Sequence, residues 1–548
     1  MSRTLLLAAA SGAALFAGPA GAQDSETDDH DVIIVTGTAT EAARDETLQA
    51  IEVLSVDDVL DRFDGSLGAT LADLPGISTT SFGPAVGRPI IRGLGGDRVR
   101  VLTNGVGLVD ASKISVDHAS TTEALDAERI DILRGPAAIA YGGNAIGGVI
   151  NVIDGRIPSA PAEDGLDGQV YGGYTSVDEG SQIAGRARTG SGPLVFQLEA
   201  SHREAGDFDI PGFAESAILR AMEEDEDEEH EQATGTIENS GYTFDTVGGG
   251  VSLVGDWGFF GVSVRDYDAE YGLPSHDHEE SEEEEEGDAM LTMEQTRWDS
   301  RGRIDVALGP FDHLDFAGGF AEYEHAELEP TGEVGTLFTN EGWEARAALV
   351  NESERWSGSV GVQALSTDFS ASGEEAFVPP VETSDLGVFV AQRYDAGGYG
   401  FEGGARVETR ELEPTSGADR SFTTYSLASG VFLQPSDDTF LGLSLARTER
   451  APTDAEFYSN GPHAATSTFE IGDADLGKET GWALDGTYRT FQGEWVFEAG
   501  LFYSQFEDFI FLTDSGEVDP DEELPIFRYM QDDASLWGGE LFAEGPLG

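Results

Sequence analysis

Residues 128–154, ERIDILRGPAAIAYGGNAIGGVINVID, decide how the rest of the chain is read. The stretch opens with apolar residues alternating at Ile130 and Ile132, followed by Leu133, a strand signal. Arg134-Gly135-Pro136 breaks that strand, and Ala137 to Tyr141 is a short run of mostly small residues. Gly142-Gly143-Asn144 is a turn, because Gly and Asn tolerate positive φ. Gly147-Gly148 lets two backbones approach closely. Val149, Ile150, Val152 and Ile153 then form a second buried strand. The result is a compact, glycine-pinned unit lying in front of something larger.

Composition bounds that larger body. The chain has 548 residues, too many for one ordinary compact domain. Its 30 basic and 104 acidic residues give a formal charge of -74. Nucleic-acid binding is excluded as its main business, since phosphate backbones need Lys and Arg. Cationic ligands, or a salty habitat, suit such a surface. No cysteine is present, so any metal must be held by His, Asp, Glu or backbone oxygens. The 71 glycines and 30 phenylalanines, without long apolar runs, suit many short strands and turns.

Residues 1–22 read as a secretory signal peptide. Arg3 supplies its positive start, Thr4 to Gly18 its apolar core, and Ala20-Gly21-Ala22 its cleavage site. No later run approaches the roughly 18 apolar residues of a membrane-spanning helix. Residues 23–49 hold an acidic spacer and the β-type run Asp31-Val32-Ile33-Ile34-Val35-Thr36. Residues 50–158 form one unit, with helices expected at 56–60 and 66–74 and a hairpin turn at Asn104-Gly105. Across 165–548 short alternating segments recur between turns, with aromatics near their ends. That is the lipid-out, lumen-in period of a transmembrane β-barrel, and a water-soluble β-sandwich shows the same alternation; the length, the signal peptide and the unit at 50–158 favour the barrel.

The ordered pattern RGP…YG…AIGGVIN resembles the end of the plug domain of TonB-dependent outer-membrane receptors. The resemblance implies a transmembrane antiparallel β-barrel, about 22 strands in that family, with an N-terminal α+β plug. It places the chain in the Gram-negative outer membrane, surrounded by lipid. Residues 31–36 resemble the TonB box, which pairs by strand addition with the periplasmic domain of TonB in its complex with ExbB and ExbD. Arg92 and Arg134, with Gly135 and Pro136, sit in plug motifs where the family uses arginine against the barrel; an ion pair inside the plug is the equal alternative. About 380 residues follow the plug, a few strands short of the roughly 22 of the family. C-terminal strands are therefore expected to be missing, since unpaired edges are untenable in lipid.

Two loops are extreme: residues 222–232, MEEDEDEEHEQ with His230, and residues 274–288, PSHDHEESEEEEEGD with His276, Asp277 and His278. Solvated acidic loops are one reading; electrostatic capture of divalent cations is the other. The histidines tilt the choice toward zinc, because oxygen-only sites favour calcium or magnesium. Outside these loops, Asp117-His118, His325 and His463 stand out.

Segments Asp117-His118-Ala119, the run from Tyr271 to His278, and the run from Glu449 to Ala464 look like the zinc-uptake subfamily of these receptors. That resemblance implies zinc as the transported ligand, held by Asp117, His118, His463 and a barrel glutamate. Glu327 is the choice, with Glu329 and Glu324 as rivals. A receptor for haem, a siderophore or another metal is the alternative; copper would want Met or Cys, and only Met290 and Met293 sit close together. A passive porin would lack the plug, and a calcium-binding surface protein should show Asp-Gly repeats. No HExxH or GxSxG occurs, so an enzyme is not expected.

Overall fold

A computed structural model describes residues 33–34, 42–43, 47–48, 50–135, 138–162, 165–218, 220, 233–274, 290–329, 331–373, 376–436, 438–493 and 495–546. The plug holds a five-stranded sheet in the order Ile51–Ser55, Arg129–Arg134, Gly148–Ile153, Val99–Thr103, Val106–Gly107. The strand pair expected from residues 128–154 is adjacent and antiparallel, with Ile132 opposite Ile150. Ile130, Ile132, Leu133, Val149, Ile150 and Val152 are all buried, because these inner strands are covered on both faces. Gly148 has φ +152°, and a Cβ there would meet the Leu133 carbonyl oxygen at 2.5 Å. This is the close approach that the glycine pair permits.

The local chemistry of the plug follows its caps. Helix Val56–Arg62 starts in a capping box between Ser55 and Asp58, and helix Leu67–Leu71 is capped by Ser66. The second helix is shorter than the expected 66–74, because the Ala72 N–H turns back to the Ala69 carbonyl. Asn104 (φ 53°) and Gly105 (φ 82°) make the turn between the last two plug strands.

Behind the plug stands an 18-stranded sheet. Two of its strands, Asn460–His463 and Thr468–Ile471, lie in an excursion between Thr439–Arg450 and Glu479–Gln492, leaving sixteen in the wall. Among the described residues the first wall strand, Leu166–Tyr174, and the last, Pro525–Glu544, are not paired with each other. Neighbouring wall strands run antiparallel. Turns of a few residues, such as 256–257 and 309–310, close one end; longer connections such as 451–478 lie at the other. That asymmetry is the periplasmic and extracellular pattern of outer-membrane barrels. No described helix is long and apolar enough to cross a membrane.

Period-two alternation sets what each face meets. Leu386, Val388 and Val390, and Leu441, Leu443 and Leu445, point outward and are exposed on the wall. Toward the long-loop end the outward positions turn acidic. Asp245 faces Asp268, Asp268 faces Glu294, and Glu294 faces Glu324. In the same way Glu322, Glu341, Asp368, Glu382 and Glu413 succeed one another across five strands.

Ion pairs seat the plug. Arg92 contacts Glu540 through Nε at 2.9 Å and Asp485 through Nη1 at 2.7 Å, both on the wall. Its neighbour Gly135 (φ 88°) faces Arg92 and Asp485. Arg98 reaches Glu479 at 2.9 Å, and wall residue Arg203 reaches plug residue Glu123 at 3.1 Å. Arg134 instead pairs with Glu52 inside the plug at 3.4 Å. Of the two alternatives, Arg92 takes the wall contact and Arg134 the internal one. Pro136 lies outside the described residues.

Candidate metal centre

Asp117 and His118 lie on a plug segment with no regular secondary structure. The barrel wall holds that segment by its backbone. Gln295 donates to the Val109 carbonyl at 2.7 Å, Asn340 to Asp110 at 2.9 Å, and Arg265 to Thr121 at 2.6 Å. The Tyr271 hydroxyl accepts from the Ala119 N–H at 3.1 Å and donates to the Asp117 carbonyl at 3.2 Å. Such ties leave the two side chains little freedom.

His118 is buried, and its Nδ1 lies 3.1 Å from the Ala111 carbonyl. A carbonyl can only accept, so Nδ1 carries the proton there. Nε2 then faces Glu327 Oε1 at 3.1 Å and Asp117 Oδ2 at 3.7 Å. In the neutral ring Nε2 offers a lone pair to this carboxylate pocket, the orientation that a backbone partner imposes on metal-binding histidines.

The wall supplies the opposite side. In strand Phe311–Leu328, Tyr323, His325 and Glu327 share the inward face, while Glu324 is outward and exposed; Glu329, of the same parity as Glu327, lies exposed beyond the strand end. Alternation by two rejects Glu324, and burial rather than parity separates Glu327 from Glu329. His118, His325 and Glu327 each offer an atom within 4.8 Å of the others. His325 is fully buried; its Nδ1 lies 3.1 Å from the Tyr323 hydroxyl, which donates to Met293 Sδ at 3.3 Å. In that arrangement Tyr323 accepts the Nδ1 proton, and Nε2 keeps its lone pair. His325 Nε2 and Glu327 Oε2 are both buried without a hydrogen-bond partner. Orphaned acceptors this deep are costly unless something fills them.

His463 stands on the excursion, outside the wall. Its Nδ1 meets Glu470 Oε1 at 2.8 Å, and its Nε2 meets Ser115 Oγ at 2.6 Å and Asp117 Oδ1 at 3.5 Å. Phe377 stacks on its ring at 5.0 Å. Asp117 thus faces both His118 and His463. Burial opposes charge on His463, yet its bonds to Asp117 and Glu470 raise the pKa to about 10. Burial likewise opposes charge on His118, but the Asp117 charge and the Glu327 hydrogen bond raise its pKa. Asp117 is held down at about 2, burial being outweighed by the two imidazoles.

The structure brings together Asp117, His118, Glu327 and His463, and adds His325 to them. Histidine and alternate-position spacing in Tyr323-Glu324-His325-Ala326-Glu327 carried that signal. Glu470, the partner of His463 Nδ1, lies on the excursion strand Thr468–Ile471 and carried no signal in the sequence. His230, His276, Asp277 and His278 lie outside the described residues. So do Asp31, Val32, Val35 and Thr36, while Ile33–Ile34 pairs with Ala42–Ala43 as a two-residue strand.

Comparison with known proteins agrees with this architecture. The TonB-dependent receptor plug domain matches residues 43–149, and the TonB-dependent receptor-like β-barrel matches residues 221–548. A vitamin B12 transporter of Photobacterium profundum is 25% identical over 324 residues, covering 56% of this chain and 49% of that protein. A rhizobactin receptor of Rhizobium meliloti is 32% identical over 162 residues, covering 29% of this chain and 21% of that one. The chain therefore spans about half or less of the length of these relatives. Among solved structures, the copper transporter OprC superposes with TM-score 0.71 at 16% identity, over 94% of this chain and 79% of its own. The FrpB iron transporter of Neisseria meningitidis gives 0.71 at 13%, over 91% and 78%. At those identities the likeness is one of fold. The chain, an outer-membrane plug and β-barrel in one polypeptide, belongs to the TonB-dependent receptor family.

Proposed function

We propose that this receptor imports a divalent metal ion, zinc, into the periplasm. The observation that carries the reading is the convergence of His118, His325 and Glu327 within 4.8 Å, with His325 Nε2 and Glu327 Oε2 buried and unpartnered. Imidazole nitrogens with carboxylate oxygens are a zinc donor set. His118 and Asp117 would bring the plug's share of the ligands; His325, Glu327 and His463 would bring the barrel's. The acidic segments with His230, His276, Asp277 and His278 would gather cations electrostatically. Residues 31–36 would pair with TonB, whose ExbB–ExbD complex supplies the energy.

The test is zinc titration of the purified chain beside His118→Ala, His325→Ala and His463→Ala. Each variant should weaken binding at least about tenfold. Equal tight binding in all four proteins would sink the site. Deleting residues 31–37 should abolish uptake and leave binding intact; uptake that persists would remove TonB coupling.

A second reading, copper, is favoured by one observation. Met293 lies directly opposite His325 across a strand pair, and its sulfur is 3.3 Å from the Tyr323 hydroxyl. A thioether beside imidazoles suits Cu(I). Met293→Leu separates the two: it should spare zinc binding and weaken Cu(I) binding.

A further inference from the structure

At the short-turn end, plug and wall enclose a cavity of about 340 Å³. Five arginines line it, Arg129, Arg188, Arg301, Arg303 and Arg346, against the carboxylates Glu128 and Asp315. In a chain with 104 acidic and 30 basic residues, this is a local reversal of sign. Three of the five are neutralised. Arg129 pairs with Asp131 at 2.8 Å, Arg188 with Glu128 at 2.6 Å, and Arg303 with both oxygens of Asp315 at 2.8 and 2.9 Å.

Arg301 and Arg346 have no hydrogen bond or ion pair among the described residues. Their contacts are ring faces. Arg301 lies 5.9 Å from the Phe259 ring centre, and Arg346 lies 4.8 Å from Tyr141 and 4.9 Å from Phe389. An aromatic face steadies a guanidinium and leaves its N–H donors along the edge uncommitted. Strand register puts the two in one row: Arg301 is opposite Ala317, and Ala317 is opposite Arg346. Two strand spacings set their backbones about 10 Å apart, with only a methyl group between. Two guanidinium forks lining one cavity across that gap fit an anion with several oxygens, which each can bind through paired N–H donors.

We infer that this cavity is a binding site for a small oxyanion of phosphate or carboxylate type, gripped between Arg301 and Arg346 with Arg303 beside them. The bound anion would join the plug, through the Tyr141 side, to the two wall strands Met290–Leu308 and Val334–Glu352. The inference is independent of the metal that the other site carries.

Calorimetric titration of the purified chain in detergent and chloride buffer tests it, with inorganic phosphate in one arm and citrate in the other. One saturable site is expected. Tighter phosphate binding identifies a phosphate-type ligand, and tighter citrate binding a carboxylate-type one. Arg301→Gln and Arg346→Gln should each weaken the site at least about tenfold, with zinc titration unchanged. Arg301→Lys keeps the charge without the fork and should fall between wild type and Gln; it serves as the comparison if the Gln variants do not fold. No saturable binding of either probe, or equal binding in wild type and variants, overturns the inference.

Discussion

Raising the pH should loosen the metal-free protein and tighten its hold on zinc over the same interval. The group responsible is His463, 4% exposed, whose pKa climbs from an ordinary 6.5 to about 10 between Asp117 and Glu470. A pKa raised by folding stabilises the folded state fully below the unfolded value and is lost as pH passes the folded one. The stabilisation is therefore complete below about pH 6.5 and gone near pH 10. At about 1.36 kcal/mol per unit, the 3.5-unit difference amounts to roughly 4–5 kcal/mol. Asp117 acts at the other end. Its pKa falls from 3.8 to about 2, so its contribution is present above pH 3.8 and lost as pH drops to about 2. On the proposed reading, zinc bound at His463 Nε2 would displace its proton, so affinity should rise with pH where metal-free stability falls. The assay is denaturant unfolding of chelator-treated protein from pH 6 to 10, wild type against His463→Gln, with zinc calorimetry in buffers of different ionisation enthalpy. The difference between the two proteins should shrink as pH rises, and zinc binding near pH 7 should release protons. A difference that stays constant to pH 10, or zinc binding without proton release, would refute this reasoning.

Three further outcomes are expected. Arg92→Met leaves the half-buried Asp485 and Glu540 without their cation, and should cost about 2–3 kcal/mol in unfolding; adding Asp485→Asn and Glu540→Gln should recover most of it, and a silent single variant would refute the brace. Glu327→Gln should weaken zinc binding at least about tenfold while Glu324→Gln leaves it unchanged, because the two point to opposite faces; equal effects would break the parity argument. Raising salt from about 0.1 to 1 M shortens the screening length from about 10 to 3 Å, so the outward acidic rows should repel less and the melting temperature should rise; a fall would show that the plug's ion pairs dominate instead.

The plug was legible because its cues are local. Gly148 needs its positive φ, Asn104-Gly105 makes its own turn, and Ser55 and Ser66 cap the helices that follow them. The wall was legible as alternation, though its strands run longer than their apolar segments: in Phe311–Leu328 the period continues through the acidic outward positions Glu322 and Glu324. The candidate metal centre was partly legible. Asp117 and His118 are neighbours in sequence, and period two separates Glu327 from Glu324. What distinguishes Arg92 from Arg134 is not local at all. Their partners lie 393 and 448 residues away in one case and 82 in the other, and only the folded register tells them apart. His325 was visible as a histidine at the end of a strand, but its fit beside His118 depends on how deep the plug sits.

His118 hangs from the plug by the Ala111 carbonyl, and Glu327 belongs to the barrel. A ligand shared between two bodies is also a bolt between them. By linkage, whatever free energy a cation gains from both halves must equal the extra resistance it lends the plug against being drawn out. Loaded and empty receptors should then differ in the force needed to move the plug, and once it has moved, the cation would keep only one body's share of its ligands. Release need not await a rival chelator; it is a geometric result of the pull.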